Sequence, residues 1–340
     1  MTTYKAIRGL TIQTVAGDPS PLTTGDIWYS STAKKIRGAK IAAGAWATSN
    51  NINTARQRLK SVGTQTASMV VGGMSGGPGG APSYSFHDEC ETYDGSSWTE
   101  TADTNETAAD RFSSSAGTTT AAVVGGAFAY PFSPDLKDVC ELWNGTSWTE
   151  VNDINTARVY AGNAGTSTAA LIVGGEKAGD YATESEEWDG TNWAEGDDLN
   201  SGGWISCGTG TQTAAIVAGG TGSDRGPGIL AETYDGSSWT EVGDLNTARN
   251  RGGMSGDSSE AVYFSGLAAG PALSALTEEY DGSTWAEGGD LSTARQQGGG
   301  SGSSTASFLV SGATVVGDGT YSSATEEWTK AVAASSFTSS

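Results

Sequence analysis

The stretch YDGSSWTEVGDLNTAR, which runs from Tyr234 to Arg249, occurs in close copies along the chain. The tryptophans of these copies are spaced 50, 45, 46 and 46 residues apart, at Trp98, Trp148, Trp193, Trp239 and Trp285. An Asp-Gly or Asn-Gly pair precedes each tryptophan. Such a pair between β-rich runs predicts a hairpin, because glycine tolerates positive φ. Each copy therefore predicts two strands joined by a tight turn.

Two further strands are predicted in each copy. Linkers such as DINTAR and DLNTAR lead through a glycine-rich run into an apolar strand, which reads ASMVVGG, AAVVGG, AALIVGG, AAIVAGG, AVYFSG or ASFLVSG. Each unit thus contains four short antiparallel strands, a to d. A period of 45–50 residues with four strands per unit predicts the blades of a β-propeller.

These residues resemble the Kelch repeat. The resemblance consists of a strand-ending Gly-Gly, a Tyr or Trp before the last turn and a Trp after it, and it covers residues 45–330. Two units depart from the pattern, because NETAADR contains extra residues and NSGGW (Asn200–Trp204) lacks the arginine. The resemblance implies an all-β propeller.

The two ends of the repeat region predict how the propeller closes. Trp46 stands eight residues before Thr54, the same offset as from Trp239 to Thr247. The last unit ends at ATEEWTK (324–330) and never reaches its fourth strand. An N-terminal strand around Trp46 is therefore expected to complete that unit and close a six-bladed ring without an open edge. We expect the repeated aromatics to fill the space between twisted sheets.

Charge separates the first forty residues from the rest. The chain has a net charge of −21, but residues 1–40 contain six basic and two acidic residues. The other 12 basic and 37 acidic residues leave −25, which opposes nucleic-acid binding. We predict a basic arm over 1–40, a propeller over 41–330 and a tail over 331–340. No signal peptide or membrane insertion is predicted, and the three cysteines are expected to be buried free thiols.

The sequence gives little support for an enzyme. Some Kelch-like propellers resemble a copper oxidase with two histidines, but this chain has one, His87, which we expect in a solvated loop. A sialidase-like arginine triad is the alternative, drawn from the repeated arginines of the linkers. The same arginines could instead hold the linkers. No calcium-loop motif occurs, so no metal or cofactor is expected, and the Glu-Glu pairs at Glu186, Glu278 and Glu326 are expected on a solvated face.

Variation is concentrated in the connections between strands b and c, which differ in every unit. These connections and the linkers are expected on the same face of the propeller, an arrangement typical of a scaffold that presents recognition loops. Exposed aromatics there could bind sugars or proteins, or they could pack the loops down. The candidate binding residues are Tyr84, Phe86, His87, Phe128, Tyr130, Phe132, Tyr181 and Arg225.

The N-terminal segment TIQTVAGDPSPLTTGDIWYSSTAKKIRG has a second resemblance. It is similar to short segments near the start of bacteriophage structural proteins, especially in its GDIWY hairpin. Arrays with NTAR linkers and DGSSW turns also resemble propeller proteins from phages of marine bacteria. The candidate residues for docking to the virion are Trp28, Tyr29, Lys34, Lys35 and Arg37.

Together these patterns indicate a non-enzymatic virion protein, a tail fibre, adhesin or decoration protein. It is expected in multiple copies per particle, made in the host cytoplasm, with residues 1–40 bound to other virion proteins. Its propeller loop face would contact a host-surface glycan or protein. A glycan-active propeller enzyme and a cellular Kelch-like interaction module are the alternatives.

Overall fold

The computed structural model describes residues 12–76, 84–106, 112–129, 135–205, 207–222, 228–270, 272–316 and 320–336. Within these ranges the secondary structure is all β. In chain order the strands are β1 (Gln13–Val15), β2 (Ile27–Ser30), β3 (Lys35–Ile41), β4 (Ala45–Ser49), β5 (Lys60–Thr64), β6 (Ala67–Val71), β7 (Met74–Gly76), β8 (Tyr84–Phe86), β9 (Cys90–Tyr93), β10 (Trp98–Thr101), β11 (Phe112–Thr118), β12 (Ala121–Ala129), β13 (Asp135–Trp143), β14 (Trp148–Val151), β15 (Gly162–Thr166), β16 (Ala169–Val173), β17 (Glu176–Lys177) and β18 (Asp180–Tyr181). The series continues with β19 (Ser185–Trp188), β20 (Trp193–Glu195), β21 (Gly208–Thr211), β22 (Ala214–Ala218), β23 (Ala231–Tyr234), β24 (Trp239–Glu241), β25 (Arg249–Asn250), β26 (Gly253–Gly256), β27 (Ala261–Phe264), β28 (Leu267–Ala268), β29 (Ala272–Leu273), β30 (Thr277–Tyr280), β31 (Trp285–Glu287), β32 (Gly299–Gly302), β33 (Ala306–Val310), β34 (Thr325–Thr329) and β35 (Val332–Ser336).

The chain divides into two compact units. Unit 1 comprises Met1–Gly44 together with Lys330–Ser340, and unit 2 comprises Ala45–Thr329. Compared with the predicted arm, propeller and tail, unit 1 also takes in residues 41–44 and Lys330, and it combines the two ends of the chain. Residues Val332–Ser336 form β35, which pairs antiparallel with β3, so this part of the C-terminal segment belongs to the same sheet as the N-terminal segment.

Unit 2 has a propeller-like all-β fold built from four-stranded antiparallel sheets. The described residues of this unit form six such sheets. In neighbour order they are sheet 1 (β5-β6-β9-β10), sheet 2 (β11-β12-β13-β14), sheet 3 (β15-β16-β19-β20), sheet 4 (β21-β22-β23-β24), sheet 5 (β26-β27-β30-β31) and sheet 6 (β32-β33-β34-β4). The predicted order of four antiparallel strands per repeat is confirmed.

The outer strand of sheet 6 comes from the N-terminal side of the repeat region. β4 pairs with β34, and Trp46 lies opposite Trp328, as the matched offsets predict. The indole Nε1 of Trp46 donates a hydrogen bond to Thr277 Oγ1 at 2.8 Å. The ring also packs edge-on against Phe264 of sheet 5, with 4.9 Å between centroids. β4 is therefore fixed by both its pairing and its side chain.

The Asp-Gly turns connect the third and fourth strands of the sheets. In the turn after β23, Asp235 Oδ1 accepts hydrogen bonds from the amides of Ser237 and Ser238 at 2.9 Å each, and Gly236 has a φ of 92°. A residue with a Cβ is strained at that φ. The turn places Tyr234 against Trp239, whose rings stack with centroids 4.9 Å apart. Both side chains are buried, as predicted for the repeated aromatics.

The linkers and the b–c connections lie together on one side of unit 2, which we call the loop face. Isolated bridges join Gln57 to Met74 and Val159 to Glu176. In both cases the residue just after the linker arginine pairs with the residue just after the Gly-Gly of the same sheet. Several b–c connections continue into short hairpins, β7–β8, β17–β18 and β28–β29. The predicted loop face is thus made of paired β segments.

Unit 1 contains one four-stranded sheet in the order β1-β2-β3-β35. The predicted GDIWY hairpin is present as β2 and β3, and β1 joins β2 in parallel. The Trp28 side chain is only 1% exposed. By the alternation of strand residues, Ile27 and Ile36 lie on the opposite face from Trp28, where they are 42% and 43% exposed.

Truncation of Trp46 tests the role of β4. We expect Trp46→Ala to lower the free energy of unfolding by about 3 kcal/mol, the lower end for a tryptophan because the side chain is only partly buried. Urea unfolding followed by tryptophan fluorescence measures the change. The control is Thr48→Ala, an exposed position of the same strand, which should shift stability by less than about 0.5 kcal/mol. Equal effects of the two substitutions would contradict the role given to β4.

The turn aspartates predict a pH dependence of stability. Hydrogen bonds from Ser96 and Ser97 lower the pKa of Asp94 to about 2, and similar bonds lower the pKa of Asp189, Asp235 and Asp281. A lowered folded-state pKa contributes stability that is present above the ordinary value of 3.8 and lost as the pH falls towards 2.

Sheet 2 supplies the matched replacement, because Asn144 takes the same turn position and accepts the same two amide bonds. Changing the four aspartates to asparagine should keep the turns while reducing the loss of stability between pH 4 and pH 2. The urea midpoint as a function of pH measures this. An unchanged acid slope would show that the turn carboxylates do not contribute.

Candidate functional site

The first strands of the six sheets lie beside one another around a central cavity. They follow in the order β5, β11, β15, β21, β26 and β32, and β32 also lies beside β5. Away from the loop face, the cavity is lined by residues from all six of these strands and has a volume of about 490 Å³. Glycines such as Gly63 and Gly165, at the ends of the first strands, supply much of this lining. That end therefore offers mostly backbone polar groups.

The end of the central cavity at the loop face is lined by larger side chains. This mouth pocket has a volume of about 480 Å³ and is lined by Arg58, Leu59, Lys60, Phe112, Val159, Tyr160, Arg251, Gly252, Gln297 and Gly298. It shares Leu59, Lys60, Gly252 and Gly298 with the middle of the central cavity. None of its described lining residues is acidic.

Four lining residues of the mouth pocket occupy equivalent positions in their sheets and share an unusual backbone conformation. Arg58, Tyr160, Arg251 and Gln297 have φ values of 61°, 57°, 58° and 57°. The amide of Arg58 donates to the carbonyl of Gln297 at 2.7 Å, and the amide of Gln297 donates to the carbonyl of Arg251 at 2.8 Å. These bonds connect sheets 1, 6 and 5, so the left-handed conformation is part of how neighbouring sheets join at the mouth.

Side-chain hydrogen bonds hold two of the guanidinium groups of the mouth pocket. Arg58 Nε donates to Gln297 Oε1, and Arg251 Nη1 donates to Gln296 Oε1, both at 3.3 Å. The Lys60 ammonium group makes no hydrogen bond or ion pair with a described residue, and burial lowers its pKa to about 8. The equivalent position in the other first strands is Ser114, Gly162, Cys207, Gly253 or Gly299, so Lys60 extends into space that small residues leave open.

The repeated linker arginines do not face the cavity. Arg158 Nη2 lies 2.6 Å from Glu186 Oε1, and Arg249 Nη2 lies 2.7 Å from Glu278 Oε1. Arg56 with Glu91 and Arg295 with Glu326 form equivalent pairs at 3.2 Å. All eight side chains are at most 2% exposed. The expectation that Glu186, Glu278 and Glu326 lie on a solvated face is therefore wrong, because each is the buried partner of an arginine.

Each of these glutamates also binds the backbone of a linker. The amides of Asn246 and Thr247 donate to the two carboxylate oxygens of Glu278 at 2.6 and 3.2 Å. Arg249 Nη1 donates in addition to the carbonyl of Leu276 at 2.5 Å. We call this unit of glutamate, linker amides and arginine the linker clamp. It explains why asparagine, threonine and arginine recur together.

In sheets 3 and 6 the glutamate that follows the clamp glutamate binds a tyrosine of the next sheet. Tyr234 of sheet 4 donates its hydroxyl to Glu187 Oε1 of sheet 3 at 2.6 Å, and Tyr93 of sheet 1 donates to Glu327 Oε1 of sheet 6 at 2.8 Å. Burial and the nearby carboxylate raise the pKa of Tyr234 above its usual value. Both members of the Glu-Glu pairs thus serve contacts between chain segments that are distant in sequence.

Sheets 2 and 4 show how the clamp tolerates the two departures in the sequence. Glu141 accepts the amides of Asn105 and Glu106 at 2.9 and 2.8 Å, although the linker reads NETAADR. In sheet 4, Glu232 accepts the amide of Asn200 at 2.8 Å, while Gly203 stands in the arginine position. The glutamate and the first linker amide are therefore present in every sheet whose linker is described at those positions.

The structure describes four of the aromatic residues predicted on the loop face. Tyr84 and Phe86 belong to β8, Phe128 belongs to β12, and Tyr181 belongs to β18. Phe86 and Phe128 are half-buried, and Tyr181 is exposed. Tyr130, Phe132 and Arg225 lie outside the described residues.

His87 differs from the expected solvated residue. Its Nε2 lies 2.8 Å from Ser75 Oγ, and its Nδ1 lies 2.8 Å from Glu89 Oε2. The side chain is only 10% exposed. A histidine held by a hydroxyl and a carboxylate in this way fixes the base of the β7–β8 hairpin.

An aromatic cluster next to the mouth pocket was not predicted as a unit. The ring centroids of Tyr160 and Trp204 are 5.0 Å apart, and those of Trp204 and Tyr181 are 6.2 Å apart. Only Tyr181 was a candidate from the sequence. Two sequence features could have pointed to the other rings. Trp204 lies in the irregular linker NSGGW, and Tyr160 lies two residues after a clamp arginine.

The candidate docking residues in unit 1 differ in exposure and in whether they already have a partner. Lys34 and Lys35 are exposed and Tyr29 is half-buried, but the Trp28 ring belongs to the core of the unit. Arg37 Nη1 binds Asp18 at 2.7 Å, and Arg37 Nη2 donates to the carbonyl of Ala334 at 3.3 Å. Arg37 thus stabilises the sheet that the lysines flank.

Neither a family model nor a curated protein matches this chain. Across the described ranges there is no helix long and apolar enough to cross a membrane. The same ranges contain no group of three or more histidine, cysteine, aspartate or glutamate side chains placed to hold a metal ion. The three cysteines are free and buried, as predicted.

Removal of one clamp carboxylate tests the clamp. We expect Glu278→Gln to lower the free energy of unfolding by about 3–5 kcal/mol, because Arg249 then remains buried and charged without its partner. Glu287→Gln is the control, since Glu287 lies opposite Glu278 on β31 but is exposed. Its effect should stay within about 0.5 kcal/mol. A loss below about 1 kcal/mol for Glu278→Gln would rule out a structural role for the pair.

Proposed function

We propose that this protein is a non-enzymatic bacteriophage virion component that presents a propeller to the host surface. The observation that carries the proposal is the division of unit 2 into a repeated scaffold and a non-repeated face. Linker clamps recur from sheet to sheet, while the hairpins of the loop face differ in length and in aromatic content. A scaffold with variable loops on one face suits recognition.

We also propose that the six sheets close into a six-bladed, Kelch-like ring. Two observations support closure. β4 pairs with β34 although about 280 residues separate them, and the first strand of sheet 6 lies beside that of sheet 1. In such a ring, β4 completes the sheet that the last repeat leaves one strand short, so β34 is not an open edge on which other chains could add strands.

Unit 1 is proposed to hold the protein on the particle. On the face of its sheet opposite Trp28, Ile27 and Ile36 are 42% and 43% exposed, and the exposed Lys34 and Lys35 lie in and beside the turn that joins their strands. An exposed apolar patch flanked by charges is typical of a protein interaction surface. The strands β1 and β35 are sheet edges, and pairing with a strand of a neighbouring virion protein could add hydrogen bonds that salt does not weaken.

The alternatives have less support. For a glycan-active hydrolase of the sialidase type, the four repeated arginines would have to reach a ligand, whereas each is buried against a glutamate. For a cellular interaction module, the sheet of unit 1 with its exposed apolar face has no evident role.

Multiple copies per particle would make even weak attachment to the host effective, because linked binding sites act together.

Two pairs of substitutions test the assignment of the ends. Ile27→Ser with Ile36→Ser should prevent incorporation into particles while unit 2 stays folded, because only exposed residues change. Phe128→Ala with Tyr181→Ala should leave incorporation intact and weaken attachment to host cells. Incorporation is measured on purified particles, and attachment by adsorption rate.

Val316→Ser is the control for the first pair, since Val316 is an exposed apolar residue of unit 2 and its loss should not affect incorporation. Incorporation of the isoleucine variant at the normal level would overturn the docking role of unit 1. Loss of incorporation in the aromatic variant would overturn the role of the loop face.

A further inference from the structure

The mouth pocket collects positive charge in a strongly acidic part of the protein. Residues 41–340 contain 12 basic and 37 acidic residues. Four of the basic residues are the buried clamp arginines. Three others, Arg58, Lys60 and Arg251, line this one pocket, whose described lining contains no carboxylate. The pocket is therefore a local exception to the charge of the unit.

We propose that the mouth pocket binds the anionic group of an acidic saccharide, a sugar that carries a carboxylate or a sulfate. The inference deepens the proposed recognition function, because it names the ligand chemistry taken up at the loop face. The site is distinct from the linker clamps, whose arginines already have carboxylate partners.

Lys60 is the first reason for an anionic ligand. Lys60 is half-buried, and removing part of an ammonium group's surface from water without a partner costs free energy; no described residue pairs with this group. Small residues at the equivalent positions of the other first strands show that the fold does not need a long side chain there. An anion that enters the pocket would supply the missing partner and would favour the charged form of Lys60.

Arg58 supplies the geometry for recognition. Among the described residues its guanidinium group makes one side-chain hydrogen bond, from Nε to Gln297 Oε1, so within this part of the chain the Nη donors remain for a ligand. Guanidinium groups bind carboxylate and sulfate oxygens through two parallel N–H donors. The backbone bond from Arg58 to Gln297 fixes the Cα position from which the side chain extends, and Gln297 fixes its Nε.

The aromatic cluster favours a saccharide over an acidic peptide. Tyr160 lines the mouth pocket and contacts Trp204, which in turn contacts Tyr181. The three rings thus extend from the pocket towards the exposed β17–β18 hairpin. Aromatic rings with a polar edge suit the C–H face and hydroxyl rim of a sugar ring.

The acidic surroundings restrict the kind of ligand. A net charge of −21 repels polyanions at long range, whereas salt screens exposed charges beyond roughly 8–10 Å. Contacts inside the pocket act over shorter distances than that. The ligand that fits is therefore one anionic sugar unit, at a chain end or branch, with neutral sugars around it.

The test uses the purified full-length protein and isothermal titration calorimetry. The probes are a dextran oligosaccharide that ends in one glucuronate, the same oligosaccharide with one terminal sulfate instead, the unmodified neutral dextran oligosaccharide of equal length and a polyglutamate peptide. We expect binding of an acidic saccharide and none of dextran or polyglutamate. Comparison of the two acidic probes distinguishes carboxylate from sulfate.

Two variants remove the cations of the pocket with little change in size. Lys60→Met and Arg58→Gln should each weaken acidic-saccharide binding by at least about tenfold, as expected for a hydrogen-bonded ionic contact. Lys177→Met is the control, because Lys177 lies on the loop face but pairs with Glu184. Since Lys60 has no partner to lose, Lys60→Met should not lower the melting temperature, which separates a binding role from a structural one.

The pH dependence provides a second readout. The charged or titratable groups that line the cavity with Lys60 are Arg58 from its own segment, Arg251 from sheet 5, the Tyr160 hydroxyl from sheet 3 and the Cys207 thiol from sheet 4. Guanidinium groups keep their charge, so affinity should fall as the pH rises through about 8, where Lys60 loses its proton. Cys207→Ser should keep this profile and Lys60→Met should abolish it.

The proposal is overturned if dextran binds as well as the acidic probes, if only polyglutamate binds, or if no probe binds. It is also overturned if acidic-saccharide binding survives in both pocket variants. Those results would not decide the proposed virion role. That role is tested separately, because incorporation and adsorption are measured on particles and do not depend on which sugar is bound.

Discussion

The buried carboxylate of the third strand is the interaction on which the rest of unit 2 depends. Glu278 accepts two linker amides and faces a buried guanidinium group. Glu91 and Glu186 sit in the same arrangement, and Glu326 accepts one linker amide and pairs with Arg295. Breaking such a pair costs more than a surface contact, because an unpaired charge would remain in the interior. Every clamp thereby fixes where the chain leaves one sheet and enters the next, which is the geometry that a stack of twisted sheets requires.

Once the linkers are fixed, two neighbouring regions can vary. The b–c hairpins project from the same face but contribute little to the clamps, so their lengths and aromatics differ from sheet to sheet. The residue two places after the clamp arginine lines the mouth pocket. It differs between sheets and is Arg58, Tyr160, Arg251 or Gln297. The repeated part of the sequence thus builds the linker clamps, and the non-repeated part determines which side chains line the mouth pocket and the hairpins of the loop face.

The local features of the fold were predictable, and the long-range partners were less so. The Asp-Gly turns and the Tyr–Trp pairs act over a few residues, so their spacing predicted the strands and the buried aromatics correctly. Matched offsets around Trp46 predicted its pairing with β34. The Glu-Glu pairs were misplaced because two adjacent charges on a strand resemble a solvated face, whereas Glu278 meets its arginine 29 residues away. β35 was missed because AVAASS has no strong pattern, and its partner β3 lies at the other end of the chain. The mouth pocket was missed because its cations come from two repeats that are about 190 residues apart in the sequence.

Hydrogen exchange of the linker amides tests the clamp most directly. Asn246 is exposed to solvent, yet its amide and that of Thr247 donate to a buried carboxylate. If the clamp holds the sheets together, both amides exchange only through global unfolding, with protection equal to that of the strand amides in β23 and β30. Exchange of these two amides at the rate of an open surface loop, with the strands still protected, would contradict the account.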